Sequence, residues 1–252
     1  MRDALDVTAS EDRIPLSDPA AQEQVAHALI TAASLPGLTA SEKLQIEAEL
    51  AKLSKVNPAL ASSTRAALSS PYALSAVSAV PDTLLLPTVH QAQAKSYWCG
   101  PATASMIVKY KGKTHTQTTM ARVEYLKTEE NGATTWASGL MTVGLNKALA
   151  TAQYQQVQAP SATTLKGAMV DSLNALYPVA LDTVEFAGGQ HYNGHPVDRT
   201  IGHWIVGNGY SNAGSTLQFM DPATSYYPDA EPTFALSTTG MAVYLQSNGI
   251  AW

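Results

Sequence analysis

Apolar positions recur at helical spacing from Asp18 to Leu35, at Val25, Ala28, Leu29, Ile30 and Ala32. Asp18-Pro19 supplies a cap and a first position, and Pro36-Gly37 a stop. The pattern restarts in "TASEKLQIEAELAKLSKV", where Thr39 and Glu42 form a capping box and Leu44, Ile46, Leu50 and Leu53 line one stripe. "NPALASSTRAALSS" predicts a third, shorter helix opening at Asn57-Pro58. Residues 1–17 read as a disordered or extended start. The helical period is then lost across 69–87, which is punctuated by Ser and Pro and reads as an extended linker.

Beyond about residue 82 Trp, Tyr, Gly and Thr rise, which sets the domain boundary there. An extended lead-in, 87–98, precedes a helix from about Cys99 to Tyr110 that is apolar on most sides and hence buried. Helices are also expected over 118–130, 137–150 and 161–177, the last with Leu165, Met169, Leu173 and Leu176 in register. The period then changes to short β-branched and aromatic runs at 177–186, 202–211, 215–222 and 232–237, bounded by Gly, Asn and Pro. Helices first and antiparallel strands second is an α+β layout.

A chain of 252 residues, 45% hydrophobic and 14% charged, can bury a real core. Its net charge of -5 and lack of Lys/Arg runs disfavour nucleic acid as a partner. No stretch has the ~18 apolar residues of a membrane span, and the first residues lack a signal-peptide core. Sparse lysine and abundant Thr, Ser, Asn and Gln lean towards a secreted or extracytoplasmic bacterial protein, with a cytoplasmic one left open. The single cysteine excludes an internal disulfide and any multi-thiolate metal site.

That cysteine stands in "QAKSYWCGPATASM". A catalytic thiol needs its pKa lowered by a helix N-terminus or a cation, and Gly100-Pro101 is first-turn chemistry. The competing role is a small buried hydrophobe. Among six histidines, His203 stands at the mouth of the strand "HWIV" after Gly202, as suits a general base. A hairpin returning as "STLQFMDP" brings Asp221 beside the start of the first strand, where it could orient the imidazole; alone, Asp221-Pro222 would only start a turn. Gln93 lies in the approach to the helix, where its amide could serve an oxyanion together with the Cys99 N–H, with Gln91 as a competitor. Flanking residues Trp98, Gly100, Gly202 and Trp204, with His191 and Tyr192 of the Gly-rich 188–199 loop, are candidate substrate contacts. That loop is a candidate lid. Its His191-x3-His195 spacing cannot present a helical two-ligand zinc face, and no metal or other cofactor is expected.

The set Gln93, Cys99-Gly-Pro-Ala, Gly202-His-Trp-Ile-Val and Asp221-Pro strongly resembles the papain-like cysteine peptidases, and within them the C39-like, bacteriocin-processing group. The resemblance spans roughly residues 83–246. It implies a papain-like fold, with a nucleophile helix packed on an antiparallel sheet, for a catalytic domain at 83–252. It also implies Cys99 as nucleophile, His203 as base, Asp221 as orienting residue, Gln93 in the oxyanion hole, and a peptide or protein substrate. The same triad would serve an amidase or an acyl or peptidyl transferase, and the fold could persist in a non-catalytic binding module. The transporter-fused members carry a membrane region and an ATPase domain that this chain lacks, so their Gly-Gly preference does not transfer. The helical segment 1–82 lies outside the pattern. By analogy with papain-like zymogens it is either a propeptide filling the cleft or a permanent accessory subdomain.

Overall fold

The computed structural model describes residues 18–69 and 80–252. The expected extended start, and residues 70–79 of the expected linker, lie outside the described residues. Three helices open the chain: α1 (Pro19–Ser34), α2 (Ala40–Val56) and α3 (Pro58–Ser69). Asp18 caps α1 by accepting the Ala20 N–H, and the Thr39–Glu42 capping box of α2 is complete. Ile46, Leu50 and Leu53 are buried as expected, whereas Leu44 falls off the stripe and is exposed.

Next among the described elements come β1 (Leu84–Leu85) and α4 (Cys99–Tyr110). The helix expected over 118–130 is two isolated turns, α5 (Gln117–Met120) and α6 (Thr128–Asn131), because Lys127 between them takes a left-handed conformation. The next helix, α7 (Leu140–Leu149), starts three residues later than the pattern suggests, after a 3-10 turn and a left-handed Gly139. Then come β2 (Gln156–Gln158), α8 (Ala162–Asn174), β3 (Val179–Glu185), β4 (Ile201–Ser211), β5 (Thr216–Met220), β6 (Thr233–Ser237), α9 (Thr238–Tyr244) and β7 (Gly249–Ala251). Leu176, expected in register on α8, lies past its end with positive φ and is exposed.

The strands form one antiparallel sheet in the order β2-β7-β3-β4-β5-β6, with β1 paired to β4. Strand alternation sends successive residues to opposite faces, and the two cores follow it. Val179, Leu181, Ile205, Leu217, Phe219 and Ile250 join α8 and the N-terminal helices on one face. Ala180, Trp204, Val206, Met220 and Ala251 join α4 and α7 on the other. Among the described residues no helix is long and apolar enough to cross a membrane.

The N-terminal helices share the core with the sheet. Val25, Leu29, Leu50, Leu53 and Ala61 belong to the same buried cluster as Leu165, Met169 and Leu181. Contact between α1 and α8 is so close at Gly167 that a Cβ there would lie 1.9 Å from the Ala28 carbonyl oxygen. None of the buried residues of α1–α3 is in the cluster that Cys99 packs against. The described part of these helices reinforces the layer on the opposite face.

One irregularity positions the site. β3 pairs with β4 along 201–207, but β5 pairs with β4 only from Val206 to Ser211. Beyond Met220 the chain turns away, with the Asp221 N–H bonding to the Pro232 carbonyl. The first half of β4 therefore keeps an open edge, and the start of α4 docks there. Thr103 Oγ1 donates to the Trp204 carbonyl at 3.0 Å.

Candidate active site

Cys99 is the first residue of α4, and no side chain caps that turn. Its N–H has no intrahelical acceptor, and the helix presents its positive end to the thiol. Burial would push the thiol pKa up, but a hydrogen bond to His203, its charge, and the Trp204 and Gly100 N–H groups pull it below the ordinary value. Cys99 is only partly buried, while His203 is 3% exposed and Asp221 fully enclosed.

His203 reaches Asp221 through Nε2, 2.8 Å from Oδ1, which leaves Nδ1 for the thiol. Burial lowers the proton affinity of His203, yet the charge and hydrogen bond of Asp221, with help from Cys99, push its pKa up to about 10. Asp221 survives burial as an anion because four donors fill its lone pairs. Oδ1 accepts from His203 and the Ala223 N–H, and Oδ2 from His195 Nε2 at 2.8 Å and Asn193 Nδ2 at 2.7 Å. Burial would raise its pKa, but His203 and His195 hold it well below the usual carboxylate range. Asp182 on β3 is buried nearby. Its carboxyl is pushed well above the usual range by burial, then by the Cys99 charge, against a hydrogen bond from Asn248.

The lead-in to α4 is tied to the same corner. His90 Nε2 bonds to the Asp221 carbonyl, the Gln93 N–H to the Pro222 carbonyl, and Ser225 Oγ to the Gln93 carbonyl. Cys99, His203 and Asp221, some 120 residues apart in the chain at their extremes, are brought together by the open edge of β4.

The model of the Peptidase_C39 like family matches residues 84–250 of the 252. The chain belongs to the Peptidase_C39 like family. A crystal structure of a candidate C39-like peptidase from Bacillus anthracis is similar at 15% identity, with a TM-score of 0.45, over 68% of this chain and 97% of that one. No curated protein matches the chain.

Within this C39-like unit the other expected site residues sort differently. Gln93 is buried, but its amide nitrogen lies 3.0 and 2.9 Å from the Lys95 and Ser96 carbonyl oxygens. To serve an oxyanion it must release a proton from one of them. Four expected substrate contacts are corrected because they are packed into the protein. A Cβ on Gly100 would lie 2.4 Å from Thr134 Oγ1, so Gly100 seats the helix start against a loop. Trp204 faces the core, its indole N–H donating to the Thr134 carbonyl at 2.7 Å. Trp98 is buried, with Lys95 Nζ 4.3 Å from the centre of its ring. Tyr192 is buried with its hydroxyl 2.6 Å from Thr183 Oγ1. His191 bonds through Nε2 to the Phe186 carbonyl and braces its own loop, while Gly202 is exposed beside His203.

The 188–199 loop is tied down at several points. Gly188 N–H bonds to the Val197 carbonyl, Tyr192 N–H to Glu185 Oε1, and Asn193 Nδ2 to Asp221 and to the Glu231 carbonyl. Gly194 is required by its φ of +69° and by the Asp229 carbonyl oxygen, 2.4 Å from where a Cβ would stand. His195, Glu185 and Asn193 are site residues that the sequence reading left out. The available signal was a pair of acids, Asp182 and Glu185, inside a strand whose other residues are apolar apart from Thr183. His195, His203 and Asp221 cluster within 4.8 Å, but their facing atoms already hydrogen-bond one another, which is an imidazole–carboxylate network and not a vacant ligand set.

Proposed function

We propose that this protein is a cysteine peptidase. The observation that carries the reading is the hydrogen-bonded Cys99–His203–Asp221 series, with its thiol at an uncapped helix start. His203 takes the thiol proton, and Asp221 stabilises the resulting imidazolium. The thiolate attacks a peptide carbonyl, and the oxygen charge that develops is met by the Cys99 N–H and by the Gln93 amide, once one of its protons leaves a carbonyl. The C–N bond then breaks as His203 returns its proton to the leaving amine. Water, activated by the same imidazole, hydrolyses the thioester and frees the acid. Secretion and the separate folding of 83–252 are not needed for this reading.

The test is digestion of an unfolded protein by wild type and Cys99→Ala, with new N-termini mapped by mass spectrometry. Cleavage by wild type alone is expected. Equal cleavage by Cys99→Ala, or none by either protein over a broad peptide library, refutes the reading. Following the mass of each protein alone also shows whether wild type cuts itself within 69–87.

A further inference from the structure

Behind Asp221 the polar network continues into the protein. His195 Nε2 is 2.8 Å from Asp221 Oδ2 and its Nδ1 is 2.6 Å from Glu185 Oε2. Both ring nitrogens therefore face carboxylate oxygens, and the side chain is fully buried together with both acids. A neutral imidazole has one protonated nitrogen and one lone pair, so either tautomer would set a lone pair against a carboxylate oxygen with no water to intervene. The doubly protonated ring satisfies both contacts. The rings of Tyr192 and Tyr227 lie 4.9 and 4.8 Å away, an electron-rich surround that suits a cation.

We propose that His195 is a positioning residue: an imidazolium locked between Glu185 and Asp221, so that Asp221 divides its charge between two cationic rings and keeps a fixed carboxylate plane towards His203. The proposal rests on the triad reading above. The loop geometry agrees with it. His195 follows two consecutive residues of positive φ, Asn193 and Gly194, and Asn193 itself bonds to the same Asp221 oxygen. Asn and Gly are the residue types that take this conformation most readily, so the turn that delivers His195 is locally favourable. Burial would strip the His195 proton, but the bonds to Asp221 and Glu185 outweigh it and hold the pKa above the ordinary value.

The consequence is electrostatic. From Glu185 through His195, Asp221 and His203 to Cys99, charges alternate in sign. The groups facing His195 are Glu185 from β3, His203 from β4, Asp221 after β5, and the phenols Tyr192 and Tyr227; Asp182 adds to the surroundings of the Cys99–His203 pair. Deleting the His195 charge makes the site more negative by one, so Cys99 and His203 both hold their protons more tightly. The His195 and His203 rings are 5.3 Å apart, and at an effective dielectric of ~20 a charge at that range moves the His203 titration by roughly two pH units; Cys99, reached through His203, responds by less.

The experiment measures the alkylation rate of the single cysteine against pH in wild type and His195→Gln, with circular dichroism to check folding, and the imidazole 15N spectrum of wild type. The expected results are an alkaline displacement of the His195→Gln profile by about one to two pH units and two protonated nitrogens on His195 at neutral pH. A folded His195→Gln whose profile overlays wild type overturns the proposal. So does a wild-type His195 with one unprotonated nitrogen, which needs no variant to fold. A wild-type Cys99 that titrates as a free thiol would instead sink the peptidase reading, while two protonated nitrogens on His195 would still support the bridge.

Discussion

Replacing Asp221 by Asn removes a negative charge from a place where four donors converge on one carboxylate. Two of them, His203 and the Ala223 N–H, meet at Oδ1, and two, His195 and Asn193, at Oδ2. An amide has one acceptor oxygen, so whichever way it lies its NH2 group confronts a pair of donors. If it keeps the bond to His203, the partner is neutral. The rise of His203 from 6.5 to about 10 corresponds to about 5 kcal/mol at ~1.4 kcal/mol per pH unit. Asp221 and Cys99 share that stabilisation. Assigning about half to Asp221 leaves ~2–3 kcal/mol, or roughly a hundredfold in the population of the thiolate–imidazolium pair. The assay is the rate of iodoacetamide alkylation between pH 4 and 10, read as a whole-protein mass shift, which is unambiguous because the chain has one cysteine. Wild type should react well below the pH at which a free thiol does, and Asp221→Asn should react about 30- to 100-fold more slowly near pH 6. A folded Asp221→Asn with the wild-type profile would refute the reasoning, since Asp221 would then have no electrostatic hold on the pair.

Other consequences are open to measurement. Gln93→Ala should lower kcat by about 10²-fold with little change in KM, as loss of an oxyanion donor does; a loss under threefold would reduce Gln93 to a brace for the Lys95–Ser96 turn. Gly100→Ala forces a Cβ into Thr134 and should cost ~1–3 kcal/mol in urea unfolding, an effect absent if the loop at 132–136 yields freely. Leu29→Ala, at a fully buried position of α1, should cost ~2–5 kcal/mol within a single unfolding transition; a separate early transition would make α1–α3 an independent unit. For pH-dependent stability the signs are opposite at the two ends. Asp221 has its pKa lowered on folding, so its contribution is present above its unfolded value of ~3.9 and fades as pH falls below that. His203 has its pKa raised, so its contribution is full below ~6.5 and is lost as pH rises through about 10. The difference in Tm between wild type and Asp221→Asn should therefore be greatest between about pH 4 and 6.5 and shrink on either side.

The sequence by itself determined the local pieces. Asp18 and the Thr39–Glu42 box sit at helix starts because capping chemistry acts within four residues, and Gly100-Pro101 marked the start of α4 for the same reason. A hairpin return was expected to bring Asp221 beside His203; the strand pairing stops at Val206–Met220, and the turn beyond it completes the approach. Leu44 and Leu176 misled because periodicity reports which residues can share a face, not where a helix ends or how much of that face a neighbour covers. What lay beyond reach depended on contacts between distant segments. Trp204 and Tyr192 look like cleft-lining aromatics until packing turns them inward, and the three-residue strand β7 forms on the edge that β3 offers, with β2 pairing in turn on β7. The network behind Asp221 is the clearest case. Glu185 and His195 acquire their meaning from a buried encounter with a carboxylate 26 or more residues along the chain, and the cost of burying each charge is offset only when all of them meet.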